Sequence, residues 1–114
     1  MGPKIKAPRL ARMLMAQGTM SRAAAHMGRD ITLTQMRVFL HIALHEGCSI
    51  GSMEEALDIS QSTSVRAVSV LVALQKPGVP GLGFVARAED PHDRRSKILS
   101  LTPAGRKALA HILE

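Results

Sequence analysis

The sequence predicts a mainly helical α+β domain with one small β-hairpin. Hydroxyl residues precede several amphipathic stretches, as they do at helix starts, and Ser60 opens a helix with a polar face. Residues 84–101 read as two strands joined by a turn that carries Arg94 and Arg95. A polar helix followed by a basic hairpin is typical of a winged helix-turn-helix.

The composition indicates a single packed domain. The chain has 114 residues, 46% of them hydrophobic, which is enough for one core and leaves little room for a second. Phe39 and Phe84 are the only aromatic residues, so Leu, Ile, Val, Met and Ala must form most of the core. The same scarcity argues against binding of single-stranded nucleic acid, because that mode needs aromatic rings on which bases stack.

The net charge of +6 is unevenly placed. Residues 1–29 carry basic side chains and no acidic one, whereas the charges of residues 30–114 cancel. We therefore divide the chain into a basic N-terminal arm, 1–29, and a reading domain, 30–114. An arm of this kind suits contact with phosphate or another anionic surface. The alternative is a solvated, partly disordered tail, and its arginines also resemble those of a mitochondrial transit peptide.

The arm itself contains helix-forming residues. We expect residues 1–8 to be extended, because they include two prolines. Arg9–Gln17 favours a helix that ends at Gly18. Ser21 then caps a second short helix over residues 22–27.

Two further helices are predicted before the polar one. Thr32 and Gln35 form a capping box, which starts a largely apolar helix that extends to about residue 46. Residues 49–58 give a shorter helix with a second capping box at Ser52, and Asp58 begins the turn that follows. The predicted inner face of this shorter helix consists of Met53, Ala56 and Leu57.

The polar helix, over about residues 60–74, is the predicted recognition helix. Val65, Val68 and Val72 are expected to point inward. Gln61 in the first turn suits bidentate hydrogen bonding to adenine, and Arg66 suits guanine or a phosphate. The predicted DNA contacts of this helix are Ser60, Gln61, Ser62, Thr63, Arg66 and Ser69. The alternative is a solvated polar face with no ligand.

The hairpin follows a run of glycines and prolines. Residues 75–83 should be irregular, and residues 84–89 and 96–101 should be antiparallel strands. Thr102 is positioned to cap a final helix whose first residue is Pro103, where the missing N–H costs nothing.

Specific residues near the hairpin resemble the MarR family of bacterial transcription regulators. They are Asp93 and Arg95 with one residue between them, Leu101-Thr102 after five intervening residues, and residues 103–106 directly after that pair. The resemblance covers about residues 31–110, although the 75–83 loop is longer than the turn usual in the family. It implies that the N-terminal helix, with its apolar residues 13–15, packs against a partner subunit. The alternative is that these side chains cover the chain's own core.

The wing carries the second set of predicted DNA contacts. Arg94 and Arg95 suit a narrow minor groove, whose negative potential attracts arginine, and Lys97 suits a phosphate. The resemblance implies that Asp93 pairs with Arg95 and orients it. The alternative is a charged hairpin without a ligand.

The resemblance implies a homodimeric regulator that binds a pseudo-palindromic double-stranded DNA site and represses by blocking polymerase. We expect the protein in the cytoplasm of a bacterium, and its gene to be of bacterial, phage or plasmid origin. The C-terminal dimerisation helices are truncated after Leu113, which leaves little material for a small-molecule pocket. We therefore expect constitutive action or a protein partner in place of an effector. Rival hypotheses are a protein-interaction module with a winged fold and a replication or partition protein.

Other functional classes have little support. No catalytic constellation, phosphate loop or cofactor motif is present, so we predict neither an enzyme nor a cofactor. The longest aliphatic run, residues 70–74, is much too short for a bilayer. His41 and His45 stand one helical turn apart, but two packed or surface histidines are favoured over a metal site. Cys48 is interpreted as a small buried side chain, with a redox sensor as the alternative.

Overall fold

The computed structural model describes residues 7–114 and confirms the predicted α+β winged-helix architecture. The helices of this part are α1 (Ala7–Met27), α2 (Leu33–Leu44), α3 (Ile50–Leu57), α4 (Gln61–Leu71) and α5 (Pro103–Ile112). The strands are β1 (Cys48–Ser49), β2 (Leu74–Lys76), β3 (Val79–Pro80), β4 (Val85–Asp90) and β5 (Asp93–Leu101).

The N-terminal arm forms one continuous helix, so the predicted break at Gly18 is wrong. Gly18 instead makes room for the guanidinium of Arg22, which would lie 3.1 Å from a Cβ at that position. Arg22 Nε in turn donates a 2.8 Å hydrogen bond to the carbonyl of Ile112 at the end of α5. Ser21 lies within the helix and caps nothing. The helix ends before Gly28, whose φ of 114° favours glycine.

The start of the arm also differs from the prediction. Ala7 and Pro8 lie in the first turn of α1, where a proline loses no helical hydrogen bond, so the extended conformation expected of them is wrong. The same expectation for residues 1–6 falls outside the described residues.

Hydroxyl side chains cap four of the helices. Thr32 forms the full predicted capping box with Gln35, and the predicted caps Ser60 and Thr102 are confirmed. The second capping box is wrong because Ser49, not the serine at position 52, caps α3 and accepts from the backbone N–H of Ser52.

The core lies between α2, α4, α5 and the wing sheet, with the end of α1 against it. Phe39 and Phe84 are tilted against each other, with ring centroids 6.0 Å apart. Ala23 and Met27 are buried in the same cluster, so the last turns of the basic arm pack into the domain. The other buried apolar residues of this cluster are Val38, Phe39, Ile42, Met53, Ala67, Val68, Leu71, Val72, Val85, Leu99, Leu101 and Ile112.

Two of the residues predicted to face inward do not. Val65 is 46% exposed and Ala56 is exposed, whereas Val68 and Val72 are buried as predicted. The inner face of α4 is rotated towards Ser64, whose buried hydroxyl hydrogen bonds to α3 and turns Val65 outward.

The wing sheet has the strand order β1-β5-β4 and is antiparallel throughout. Pairing runs from Val85 opposite Leu101 to Asp90 opposite Asp93, so the hairpin closes through a two-residue turn. β5 therefore begins at Asp93, three residues before the predicted strand start. The two-residue strand β1, which pairs Cys48 with Leu99, was not predicted because so short a strand has no alternating pattern.

Residues 81–84, the junction segment, lie between β3 and the first strand of the wing hairpin, β4, and contact the end of α4. Its backbone N–H groups donate to carbonyls at the end of α4, with 2.9 Å bonds from Leu82 to Val70 and from Phe84 to Leu71. These carbonyls lack helical partners, so the junction segment satisfies them. The predicted recognition helix is three residues too long, because the chain turns extended at Val72 to make these bonds. The irregular run predicted over residues 75–83 is wrong in part, because the small antiparallel pair β2–β3 lies mostly within it and begins one residue earlier, at Leu74.

The start of α5 rests on the other side of the junction segment. The backbone N–H of Thr102 donates to the carbonyl of Phe84 at 3.0 Å, and the Thr102 hydroxyl donates to that of Gly83 at 2.6 Å. A Cβ on Gly105 would overlap the carbonyl group of Phe84. Only glycine therefore allows α5 to approach so closely.

We predict that Gly105→Ala lowers the free energy of unfolding by about 1–3 kcal/mol, because the added methyl meets backbone that cannot move aside. Urea denaturation followed by circular dichroism measures this. Gly51→Ala in α3 is the matched control: nothing lies within 4 Å of its Cβ position. It should raise stability by roughly 0.5–1 kcal/mol, since alanine favours a helix. Equal effects of the two changes would contradict the close approach.

Candidate nucleic-acid interface

The turn between α3 and α4 is held by local backbone bonds. Asp58 adopts a left-handed conformation with φ 53°, and the N–H of Ile59 donates to the carbonyl of Glu54 at 3.0 Å. The guanidinium of Arg37 on α2 donates to the carbonyl of Leu57 at 2.9 Å, where a cation is favourable at the C-terminal end of α3. These contacts fix the start of α4 relative to the domain.

A buried polar contact sets α4 against α3. Ser64 is fully buried, the one buried polar side chain of residues 7–114, and its hydroxyl donates to the carboxylate of Glu54. A buried hydroxyl needs such a partner, since desolvation without a hydrogen bond is costly. The contact lies on the same face of α4 as the buried Ala67, Val68 and Leu71, so it and these apolar residues together orient the helix.

The exposed entrance of α4 is rich in hydroxyl groups. The Ser60 hydroxyl accepts from the N–H of Thr63 at 3.2 Å and lies 3.2 Å from the Ser62 hydroxyl. Gln61 and Ser62 are exposed, and Thr63 is half-buried. Free N–H groups and the helix dipole at such an end favour an anion.

The remaining predicted contacts of α4 lie one to two turns further along. Arg66 is exposed and lines a shallow depression with Thr32, Thr34 and Thr63. Ser69 is half-buried, and its hydroxyl donates back to the carbonyl of Arg66 at 2.7 Å. The Ser69 hydroxyl hydrogen is thus engaged within the helix, whereas the Arg66 side chain points to solvent.

The wing presents its basic residues at and beside the hairpin tip. Arg94 and Arg95 are exposed. The Asp93 carboxylate accepts from the backbone N–H of Arg95 at 3.0 Å, and no ion pair within the described chain joins Asp93 to an arginine. Lys97 pairs with Glu89 on the neighbouring strand at 3.5 Å, a half-exposed pair worth little in water.

One cleft of about 350 Å³ joins these elements. It brings Gln61 and Val65 of α4 to one side and Arg95 and Lys97 of the wing to the other. Arg66 lies in the separate depression beside α2, so the predicted site residues form two neighbouring surfaces. The sequence reasoning missed the floor of the cleft, which contains Ile50, Gly51 and Glu54 of α3, since no local motif marks these residues.

The histidine and cysteine residues near α2 lie away from the cleft's lining. Burial lowers the pKa of His41 below its usual value, and the neighbouring His45 lowers it further. Burial raises the pKa of the Cys48 thiol, partly offset by a backbone hydrogen bond. Cys48 is half-buried against the core. Within residues 7–114, no cluster of three or more metal-ligating residue types is present.

We predict that iodoacetamide alkylates Cys48 in the folded protein several-fold more slowly than free cysteine at pH 8. Its raised pKa leaves less thiolate, and the thiolate is the nucleophile. Mass spectrometry at timed intervals measures the rate, with protein in urea as the control that restores access. A folded-state rate equal to that of free cysteine would instead favour the redox-sensor alternative.

No helix of the described residues is both long enough and apolar enough to cross a membrane. No protein-family model and no curated protein sequence matches the chain.

Solved structures of MarR-type regulators are similar to this chain over most of its length. The crystal structure of MarR is 20% identical with a TM-score of 0.66, covering 95% of this chain and 74% of that one. A DNA complex of MepR from S. aureus is 21% identical with a TM-score of 0.67, covering 90% and 75%. Reduced AbfR bound to DNA is 25% identical with a TM-score of 0.65, covering 95% and 67%. The resemblance to the MarR family is confirmed at the level of the fold.

Proposed function

We propose that this winged-helix protein is a sequence-specific double-stranded DNA-binding regulator of transcription. The observation that carries the proposal is the cleft in which Gln61 of α4 faces Arg95 and Lys97 of the wing. A recognition helix and a wing must lie on one surface to enter adjacent grooves of a duplex. The similar MepR and AbfR structures contain DNA, which supports the same use here.

In the proposed complex, the first turn of α4 enters the major groove. Gln61 is exposed there and can pair bidentately with adenine, while Arg66 reaches guanine or a phosphate. Ser60, Ser62 and Thr63 surround the helix N-terminus, whose N–H groups favour a phosphate oxygen. Ser69 contributes less, because its hydroxyl donates to the helix backbone.

The wing enters the flanking minor groove in this proposal. Arg94 and Arg95 are exposed at the start of β5, beside the hairpin tip, and a narrow groove attracts arginine. Asp93 orients Arg95 through the backbone N–H, which fixes the start of the strand. Lys97 exchanges its weak pair with Glu89 for a phosphate, since that ion pair is largely solvated.

A homodimer completes the proposal. Apolar side chains of α1 are exposed, so they do not cover the chain's own core, which was the alternative. They are Leu10 (45%), Met13 (58%), Leu14 (67%), Met15 (71%) and Met20 (47%). Five large apolar side chains on one helix exceed the scattered exposure usual on a monomer. A second copy covering them places two recognition helices on a two-fold symmetric site.

We further propose that the dimer represses transcription in a bacterial cytoplasm by blocking polymerase, and that a protein partner takes the place of a small-molecule effector. A random duplex pool, sequenced after retention at two salt concentrations, tests the binding mode. Enrichment of an inverted repeat with half-sites about one helical turn apart supports the proposal. Retention without a motif leaves only electrostatic binding, and no retention favours the protein-interaction module.

Alanine at Gln61, Arg66 or Arg94 should weaken specific binding by about tenfold or more, because each lost base contact is worth roughly 1–3 kcal/mol. Fluorescence anisotropy with the enriched site measures the change. Lys107→Ala is the matched control: it removes a positive charge from the exposed side of α5, beside His26 and His111. Equal losses in the Arg66, Arg94 and Lys107 variants, with no loss in Gln61→Ala, would mean that only net charge matters.

Leu14→Glu should convert the dimer into a monomer, because it places a charge in the proposed apolar interface. Sedimentation equilibrium measures the mass. Leu44→Glu is the control: Leu44 is 78% exposed but lies on α2, so that variant should remain dimeric. A dimeric Leu14→Glu variant would remove α1 from the interface. Point changes are cleaner than deleting residues 1–29, since Ala23 and Met27 belong to the core.

A further inference from the structure

We propose that His41 and His45 together bind one divalent transition-metal ion of the nickel, copper or zinc class. His41 lies in the last turn of α2, and His45 is the residue that caps the C-terminal end of that helix. Their ring centroids are 4.6 Å apart, and the ring planes meet at 41°. Rings that are close and tilted can turn one nitrogen each towards a common ion, since rotation about the last side-chain torsion is soft.

The backbone that carries the pair is firmly held. α2 begins at the Thr32 capping box, and its opposite face is buried through Val38, Phe39 and Ile42. The N–H of His45 donates to the carbonyl of His41 at 2.9 Å, which fixes the second histidine to the last turn. A bidentate site on such a support loses little freedom when an ion binds.

The chain contains a second histidine pair with the wrong geometry. His26 on α1 and His111 on α5 have ring centroids 4.9 Å apart, but their planes differ by only 15° and the rings stack. In this arrangement the nitrogens lie in two nearly parallel planes and do not converge on one ion, and the two histidines stand on different helices. The stacked pair therefore provides an internal control with the same residue types.

The donor set selects the class of metal. Imidazole nitrogen suits nickel, copper and zinc, whereas magnesium and calcium require oxygen ligands. One oxygen of the adjacent Glu46, Oε1, accepts from Arg106 at 2.8 Å and from the N–H of Leu101 at 2.9 Å, so this side chain is held towards α5 and β5. Burial raises the pKa of the Cys48 thiol, which makes it a weaker competitor for the ion. The two histidines thus supply two ligands, and water completes the coordination.

Both histidines can be reached by an ion. His41 is half-buried and His45 is exposed, so each ring is open to solvent. Only the neutral imidazole binds a metal ion. Binding should weaken as the pH falls below the usual histidine range, because protons then compete for both rings.

Isothermal titration calorimetry of the full, untagged chain with Ni²⁺ at pH 7.5 tests the proposal. Nickel is the probe because it does not oxidise the Cys48 thiol as copper does. We expect one ion per chain, no heat with Mg²⁺, and loss of binding at pH 5. His41→Ala and His45→Ala should each weaken Ni²⁺ binding by at least about tenfold, since losing even an outer-shell partner of a metal ligand costs 10–100-fold.

The His26→Ala/His111→Ala double variant is the matched control and should bind Ni²⁺ as the natural sequence does. Ni²⁺ should also raise the thermal midpoint of the natural chain and of this control, but not that of His45→Ala, because only a folded site is stabilised. Unchanged Ni²⁺ affinity in His41→Ala and His45→Ala, or loss of binding in the control, would overturn the proposal. Circular dichroism of each variant separates loss of the site from loss of the fold.

Discussion

The placement of the wing depends on the hydrogen bonds between the junction segment and the end of α4. Leu82 and Phe84 donate to carbonyls of the last helical turn, and Gly81 passes so close to the carbonyl of Val72 that a Cβ would overlap it. On its other side the same segment accepts from Thr102, which caps α5. The end of α4, the start of the wing and the start of α5 therefore all meet at the same four residues of backbone. Any shift of this segment would change the angle between α4 and the hairpin, and with it the cleft.

The sequence predicted those features that local chemistry determines. Thr32, Ser60 and Thr102 cap their helices because a side-chain oxygen reaches the nearby backbone N–H groups, and three or four residues suffice to recognise this. The break predicted at Gly18 failed because the same residue type that ends helices also permits close packing, here of Arg22. Whether Gly18 ends the helix or makes room for Arg22 depends on α5, because Arg22 bonds to Ile112, ninety residues later in the chain.

The sequence predicted which residues form the candidate site but not how they are arranged in space. Most of the predicted contact residues of α4 and the wing are exposed, although Thr63, Ser69 and Lys97 are half-buried. The buried face of α4 includes Ser64, which contacts Glu54, beside its apolar residues. Ser64 is one of several serines in this stretch, and nothing in the local sequence indicates that its hydroxyl is the buried one. The contact of Asp93 also differs from the expected one, because its carboxylate accepts from the backbone N–H of Arg95 and not from the guanidinium.

The charges of the cleft bear on how the proposed DNA complex would discriminate. Glu54 lies on its floor and Asp93 on its wall, with Arg95 and Lys97 on the wing side. A carboxylate repels phosphate, so the DNA backbone would contact the basic residues while the cleft itself faces the bases. Residues 30–114 carry equal numbers of acidic and basic side chains, which limits non-specific attraction to the arm. In this scheme affinity depends on the exposed basic side chains, and specificity on the side chains that the exposed face of α4 presents to the bases.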